Sequence, residues 1–532
     1  MKRLMKATVQ QDCHPIRQFC QALKSGRSIL LFYFLFGCAA YSLFMTGLLG
    51  NSYDDLWHKD YYISGTWDLS IGRWMNKLIN EAVFGVSLDP FSTLLSILIV
   101  SVSLLLLLDL FHVRSRLLYP IPLIFLCSPS VCSMFAYRYM TLVFSSSIFF
   151  SVLAAWAAFQ LKSTKHAVLI AGLSLACSMG CYQAQVGIFL VIALFLVIDK
   201  ALKEKAAAPV RPLLIRTLAA SLVGAVLYLA VLFAFLKLTH TAFASYRSLN
   251  ETSAAYIAGN LPGSLKNIYS SFVSFCLGHY GKYSVFLMSR GGKCILLLIL
   301  LCPAVLLLYT AIRNRTPVRV LLLGALCALL IPVAALFFMF LSPGTIPSEL
   351  QMTGPLSFLI ALYLLFGFRS ALPLRSFAVS GIVLAASLIF LHGSVYMIQI
   401  DQGAMLHGLG ATKSITMQVL GTLTADGIDI SREKLAFVGR PSASPLFHQS
   451  KIYKKANAYG RFGDWWLLNR ANRSQYLGVI KRISGIEVTF CSNEAYDRII
   501  ANEALAAAPC YPAEGSIMEM DGVTVVKISG EY

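Results

Sequence analysis

Residues 29–60 read ILLFYFLFGCAAYSLFMTGLLGNSYDDLWHKD. From Ile29 to Leu49 the run is apolar, and as a helix it is long enough to cross the ~30 Å hydrocarbon core of a bilayer. Two adjacent carboxylates, Asp54 and Asp55, follow at its end. Next comes GTWDLSIGRWMNKLINEAVFG (65–85), a polar and aromatic stretch with an amphipathic pattern. Spanning lipid requires no acidic pair at the mouth of a helix. The pattern points to chemistry at a membrane surface.

The rest of the chain fits that reading. Of 532 residues, 57% are hydrophobic and 13% charged, and the mean hydropathy is +0.69. A soluble protein of this size has too little interior to hide so much apolar surface, so an all-α multi-pass membrane protein is expected. The net charge of +19 would suggest nucleic acid in a soluble domain. In a membrane protein it reads as loop charge that sets topology and meets lipid head groups, and no nucleic-acid partner is expected. The basic segment 1–27 is too polar and too long for the start of a cleaved signal, so the first span is expected to be retained.

Long apolar runs place about eleven spans, at 28–50, 92–111, 117–135, 141–161, 166–181, 183–199, 213–237, 294–312, 319–341, 355–369 and 376–398. The fifth and sixth form one run broken at Gly180-Cys181-Tyr182-Gln183, which reads as two short helices with Tyr182-Gln183 at the turn. The N-terminal segment, HVRSR, KSTKH, DKALKEKAAAPVRPLLIR, IRNRTPVR and FRSALPLRS are basic and fall on one side of this count. By the positive-inside rule that side is the cytoplasm. The outer loops 51–91 and 238–293 and the region 399–532 then lie outside. The domain reading is therefore a cytoplasmic segment 1–27, a transmembrane unit 28–398 and a small extracytoplasmic α/β domain 399–532. In that domain KLAFVG (434–439) reads as a strand, and NRSQYLGVIKRIS (472–484) and SNEAYDRIIANEAL (492–505) read as capped helices. GSIMEMDGVTVVKIS (515–529) reads as a hairpin turned at Asp521-Gly522. Cys491 and Cys510 lie in this polar region, where an oxidising compartment would allow a disulfide between them.

Candidate site residues cluster in the outer loops. Beside a low-dielectric boundary a carboxylate has a raised pKa and serves as a general base near neutral pH, and a second carboxylate raises it further. Asp54 and Asp55 are the catalytic candidates, flanked by Tyr53, Trp57 and His58. Arg73 and Trp74 offer a phosphate clamp beside an aromatic ring, although an interfacial anchor helix accounts for them equally well. Tyr137 and Arg138 offer a similar set. Tyr182, Gln183 and Gln185 are polar groups in an apolar run, which places them toward a cavity. Glu349 is the sole charge of the segment 342–354. Asp109 reads as a structural ion pair with Arg114. There is no Walker loop, no GxGxxG after a strand and no HExxH. No cofactor and no metal site is expected, with a divalent metal left open.

Three stretches carry a family resemblance. They are NSYDDLWHKD with Gly72-Arg73-Trp74, then SPSVCSMFAYRYMTLVFSSSIFFSVLAAW (128–156), then SMGCYQAQVGIFLVIALFLVI (178–198). The last two look like a phenylalanine–tyrosine outer turn and a YQA helix start. Over roughly residues 30–400 the chain resembles the bacterial Gtr-type glucosyltransferases of the GT-C superfamily. The resemblance implies a GT-C-like helical fold and a catalytic acid in the first outer loop, here Asp54 or Asp55. It also implies an undecaprenyl-phosphate-sugar donor. The expected activity is inverting transfer of a hexose, glucose by the resemblance, to a surface glycan acceptor at the bacterial plasma membrane. Two other classes remain open: a flippase or exporter of a lipid-linked sugar, which needs ionisable groups deep in several spans, and a surface-polysaccharide polymerase, which needs two lipid-linked sites.

Overall fold

The computed structural model describes the chain except for residues 1–14, 47–48, 52–53, 59–61, 87–88, 207, 246–252, 287–289, 342–348, 372–376, 465–474 and 482–484. Among the described residues, nine helices are long and apolar enough to cross a membrane. Two bent helix pairs raise the number to eleven if each is one span: Pro15–Ser25 with Arg27–Ala40, bent by 68°, and Arg116–Leu126 with Pro129–Ala136, bent by 45°. The sequence placed a continuous helix over 28–50, but the α-helix ends at Ala40 and a 3₁₀ turn, Ser42–Thr46, follows. Tyr41 caps that end and donates its hydroxyl to the Leu126 carbonyl at 2.6 Å, which ties the first helix to the break in the third span. That second break has a local cause. Ser128 is an N-cap whose side chain accepts from the Val131 N–H, and Pro129 starts a new helix. Tyr182 is extended between Thr164–Cys181 and Val186–Glu204, as the sequence indicated.

The bundle is held by small and hydroxylic residues where helices touch. Ser151 shares a hydrogen bond with Ser178 at 2.8 Å and donates to the Gln185 carbonyl at 2.9 Å. A side chain at Gly172 would meet Val223 at 2.5 Å, and one at Gly224 would meet Leu175 at 2.8 Å. These contacts let Thr164–Cys181 and Arg211–Leu238 pack backbone to backbone, the usual solution where lipid offers no hydrophobic drive for helices to associate. Leu350–Ser370 is the most enclosed of the spans and Arg211–Leu238 the least. Leu218, Leu222 and Phe233 on that peripheral helix stand exposed, as lipid-facing residues do. Asp109 is not paired with Arg114: its carboxylate accepts from the Trp156 indole N–H at 2.9 Å.

The last helix departs most from the sequence reading. It runs unbroken from Phe377 to Ala425, 49 residues or about 74 Å at 1.5 Å per residue. Val383, Phe390 and Ile398 sit in the membrane-helix core. Ile400, Ile415, Val419 and Leu423 sit in a second core with Leu435, Phe437 and Phe447. One rod therefore serves both halves. The second half carries a four-stranded sheet in the order β4-β3-β6-β5, built from β3 (Lys434–Val438), β4 (Thr489–Phe490), β5 (Ile517–Met520) and β6 (Val523–Lys527). β3 is parallel to β4 and β6, and β5 is antiparallel to β6. Asp521 and Gly522 both adopt positive φ, the two-residue turn that an Asp-Gly pair predicts. The stretch 492–505 forms two helices, Asn493–Ile500 capped by Ser492 and Glu503–Ala507 capped by Asn502. The segment 238–293 holds a helix of its own, Ala254–Cys276, and a hairpin of β1 (His279–Tyr280) and β2 (Tyr283–Ser284).

Asn457 joins the halves. Its backbone N–H and side-chain amide donate to Asp401 at 2.8 and 3.0 Å. The same amide donates to the Ser284 carbonyl at 3.1 Å, and its oxygen accepts from the Ser284 N–H at 2.8 Å.

The expected Cys491–Cys510 disulfide is not formed. The Cys491 N–H donates to Leu435 on the β4 flank of β3, whereas the neighbour of Cys510, Tyr511, donates to Lys527 at the end of β6. The two cysteines sit on opposite flanks of β3, and Cys510 is a free thiol. At about 4.8 Å per strand the sheet separates them beyond the ~7 Å Cα reach of a disulfide. A maleimide should therefore label Cys510 in the purified protein without prior reduction. Labelling that depended on reductant would contradict this arrangement.

Candidate functional site

A cavity of about 1330 Å³ opens at one end of the bundle. Four turns line it: the segment from Asn51 to Arg73, the Tyr137–Met140 turn, Tyr182, and Glu349–Met352. Lys282 and Tyr283 of the hairpin, together with Arg440, Tyr459, Arg461 and Asp464, complete it.

Asp54 opens the short helix Asp54–His58 and lines the cavity. Burial pushes its carboxyl up to about 7; Glu349 and then Asp55 add to the rise, and Arg73 opposes it. Its neighbour has a different setting. Asp55 is buried and accepts the Arg138 backbone N–H at 2.8 Å, so it pins the loop to the 137–140 turn. The structure thus separates the acidic pair into one carboxylate in the cavity and one in the framework. His58 lines the cavity with its ring centroid 4.1 Å from those of Tyr62 and Tyr139. Burial lowers its pKa to about 4, against a smaller opposing effect of Asp68, so its ring is neutral near pH 7. Asp68 was not among the sequence candidates. It is buried, accepts from Tyr62 and takes a 2.9 Å hydrogen bond from Asn76. Burial and then Asp68 raise the pKa of the Tyr62 hydroxyl.

Arg73 is the cation held next to these acids. Its guanidinium lies 4.9 Å from the centre of the Tyr182 ring, and its buried Nε has no hydrogen-bond partner among the described residues. The turn before it is fixed by two polar side chains. Gln183 donates to the Ile71 carbonyl at 2.8 Å, and Tyr228 donates to the Gly72 carbonyl at 3.0 Å. Gly72 has φ +83°, and a side chain there would strike the Tyr228 hydroxyl at 2.3 Å, so this turn requires glycine. Gln183 therefore aims Arg73 and does not line the cavity. Trp74 points away, buried against Gly180 and stacked on Phe235 at 6.4 Å.

Arg138 is a second departure from the sequence reading. Its side chain is buried in an ion pair with Asp89 and donates to Thr93 at 2.7 Å and to the Phe44 carbonyl at 3.3 Å. A guanidinium so engaged holds the framework and is not presented to a phosphate. Tyr137 and Tyr182 do line the cavity, with Phe144 between them at centroid distances of 6.0 and 5.0 Å. Glu349 lines it too and accepts from the Tyr283 hydroxyl at 3.3 Å. Gln185 donates to the Gln351 carbonyl at 3.2 Å and so supports the Glu349 turn. Tyr53 and the side chain of Trp57 lie outside the described residues. No group of three or more His, Cys, Asp and Glu side chains that could hold a metal occurs among the described residues.

Together these features define a class: a multi-pass helical membrane protein with one large end cavity in which an acid of raised pKa stands with a cation backed by an aromatic ring. Residues 50–366 match the family model described as Glucosyl transferase GtrII, and the chain belongs to that family. The match begins just before Asp54 and includes Arg73, Tyr182 and Glu349. No curated protein and no solved structure matches the chain.

Two stability measurements test these placements. The folded protein keeps Asp54 protonated up to about pH 7, whereas the unfolded chain releases that proton near 3.8, so stability falls as pH rises through this window. Asp54→Asn should raise the melting temperature in detergent at about pH 8, with a smaller gain at about pH 5. Arg138→Ala leaves Asp89 buried without its cation and should cost about 3–5 kcal/mol, read as a large drop in melting temperature. Unchanged melting in that variant would contradict a framework role for Arg138.

Proposed function

We propose that this family member transfers a hexose, glucose, from an undecaprenyl-phosphate-sugar to a cell-surface glycan, with inversion at the anomeric carbon. The observation that carries the reading is Asp54, a carboxyl with a pKa raised to about 7 by burial, in one cavity with Arg73. A base of that strength is matched to proton removal near neutral pH.

In this mechanism the acceptor hydroxyl gives its proton to Asp54 as its oxygen attacks the anomeric carbon. The bond from that carbon to the phosphate oxygen breaks on the opposite face, and the lipid phosphate leaves with the electron pair. Arg73 stabilises the charge that develops on the phosphate, with Tyr182 beneath it holding the guanidinium in place. His58, neutral at this pH, adds no positive charge that would lower the pKa of the base. Tyr137, Tyr182 and Tyr139 offer ring faces and hydroxyls to the sugar.

The membrane orientation belongs to the same proposal. The end of the bundle opposite the cavity gathers Lys203, Lys205, Arg216 and Arg369, the last paired with Asp199. By the positive-inside rule that end is cytoplasmic. The cavity and the region 399–532 then face outward at the bacterial plasma membrane, where a lipid-linked donor is available and nucleotide sugars are not.

Transfer from polyprenyl-phosphate-glucose in membranes with matched expression tests the mechanism. Asp54→Asn should cut the rate by about 10²–10⁴-fold. The wild-type rate should fall as pH drops through about 7, because the base must be ionised. Full activity in Asp54→Asn would sink the mechanism. Mass spectrometry of surface glycans with and without the protein should differ by a hexose.

A further inference from the structure

Beside the large cavity lies a second chamber of about 400 Å³, built from the loops and short helix between Arg440 and Asp464 together with Glu531. Arg440, Arg461 and Asp464 line both spaces and form the partition between them. Asp464 accepts from Arg440 at 2.9 Å and pairs with Arg461 at 3.3 Å, and Arg440 also pairs with Glu531. We propose that this chamber is the acceptor subsite, holding the sugar residues of a glycan whose reacting end passes the partition toward Asp54. The proposal rests on the transferase reading above and adds where its second substrate binds.

Three observations support a carbohydrate ligand here. First, the arginines are neutralised: Arg440 and Arg461 face Asp464 and Glu531, and Lys454 alone adds a positive charge to the lining, whereas a pocket for a phosphate would turn its arginines to the ligand. Second, hydrogen-bonding capacity is left over. Lys454 stands exposed with its ammonium donors, and Gln449, whose side-chain N–H donates to Ser442, has an amide oxygen that can accept from a sugar hydroxyl. Third, the walls are fixed in advance. Gln449 donates to the Ser442 carbonyl at 2.9 Å, the Ser442 N–H donates to Gly463 at 3.1 Å, and the Tyr453 hydroxyl donates to Phe462 at 2.8 Å. A rigid polar pocket spends little binding energy on ordering. The size falls in the range of about 300–1,000 Å³ typical of small-ligand sites.

Position agrees with chemistry. All residues of the chamber follow residue 366, beyond the stretch matched by the family, whereas Asp54, Arg73 and Glu349 lie within it. Donor chemistry would then come from the family core and acceptor choice from the C-terminal region.

The test uses the full-length protein in lipid nanodiscs and fluorescently labelled oligosaccharides released from the host's own cell envelope. Binding is read by anisotropy for the wild type, Lys454→Ala and Asp464→Asn. Lys454 is exposed at the rim and its truncation leaves the fold intact, while Asp464→Asn breaks the partition's charge balance. Each variant should weaken glycan binding about tenfold, the equivalent of roughly 1.4 kcal/mol. In transfer assays the KM for the glycan should rise with no matching rise in the KM for polyprenyl-phosphate-glucose. Wild-type affinity in both variants overturns the subsite, as does a wild type that binds none of the oligosaccharides. A rise in donor KM alone assigns the partition to the donor and also overturns it. Loss of transfer in the wild type with glycan binding still sensitive to Lys454→Ala would sink the transferase reading and leave the subsite standing.

Discussion

The arrangement of the cavity depends on one buried cation. Arg138 reaches Asp89 and Thr93 at the start of the second span, the Phe44 carbonyl after the first, and Phe135 in its own turn. Its backbone N–H holds Asp55. Three other segments thus converge on a single residue in a region where unpaired charge costs several kcal/mol. Once Asp55 is held there, the first turn of the helix Asp54–His58 is fixed, and Asp54 projects into the cavity. The charge held in the framework is what places the charge that faces the cavity.

The same division recurs along the site. Arg73 faces the cavity and Trp74 the core; Tyr182 faces the cavity and Gln183 the backbone of the Arg73 turn. Each pair sits at a helix start or a turn, where successive side chains diverge in direction. One neighbour faces the cavity and the other supplies the anchor that orients it. A positioned group needs such support to be useful, since small misplacements are costly in rate.

This explains how far the sequence could be read. Apolar runs of span length are unambiguous, because lipid leaves the chain few alternatives, and most helices fall where hydropathy puts them. The strand at 434–438, the Asp521-Gly522 turn and the Ser492 cap were equally legible, since each is a local preference. Asp54, Arg73, Tyr182 and Glu349, which line the cavity, are legible as polar groups beside or within apolar runs. That pattern does not tell cavity from framework, and Arg138, Trp74 and Gln183 share it. Their partners Asp89, Gly180 and Ile71 are remote in sequence or carry no signal of their own. The breaks at Ala40 and Ser128 were missed because the hydropathy on either side does not change.

The C-terminal contribution was illegible for a stronger reason. Arg440, Tyr459, Arg461 and Asp464 come from a region with soluble composition, more than three hundred residues from Asp54 in the chain. What brings them over the cavity is the continuation of the last span to Ala425 and the lock between Asn457, Asp401 and Ser284. Tyr459 sits two residues from Asn457 and donates to the same Asp401, while Tyr283, which holds Glu349, is the neighbour of Ser284. A single amide therefore sets both the C-terminal wall and the hairpin wall of the cavity. A rigid rod that runs on past the helical core, with the buried carboxylate of Asp401 along it, lets a polar region close over the cavity at the end of the bundle without a flexible linker. The two halves are then parts of one site, and the cavity cannot be assembled from the membrane helices alone.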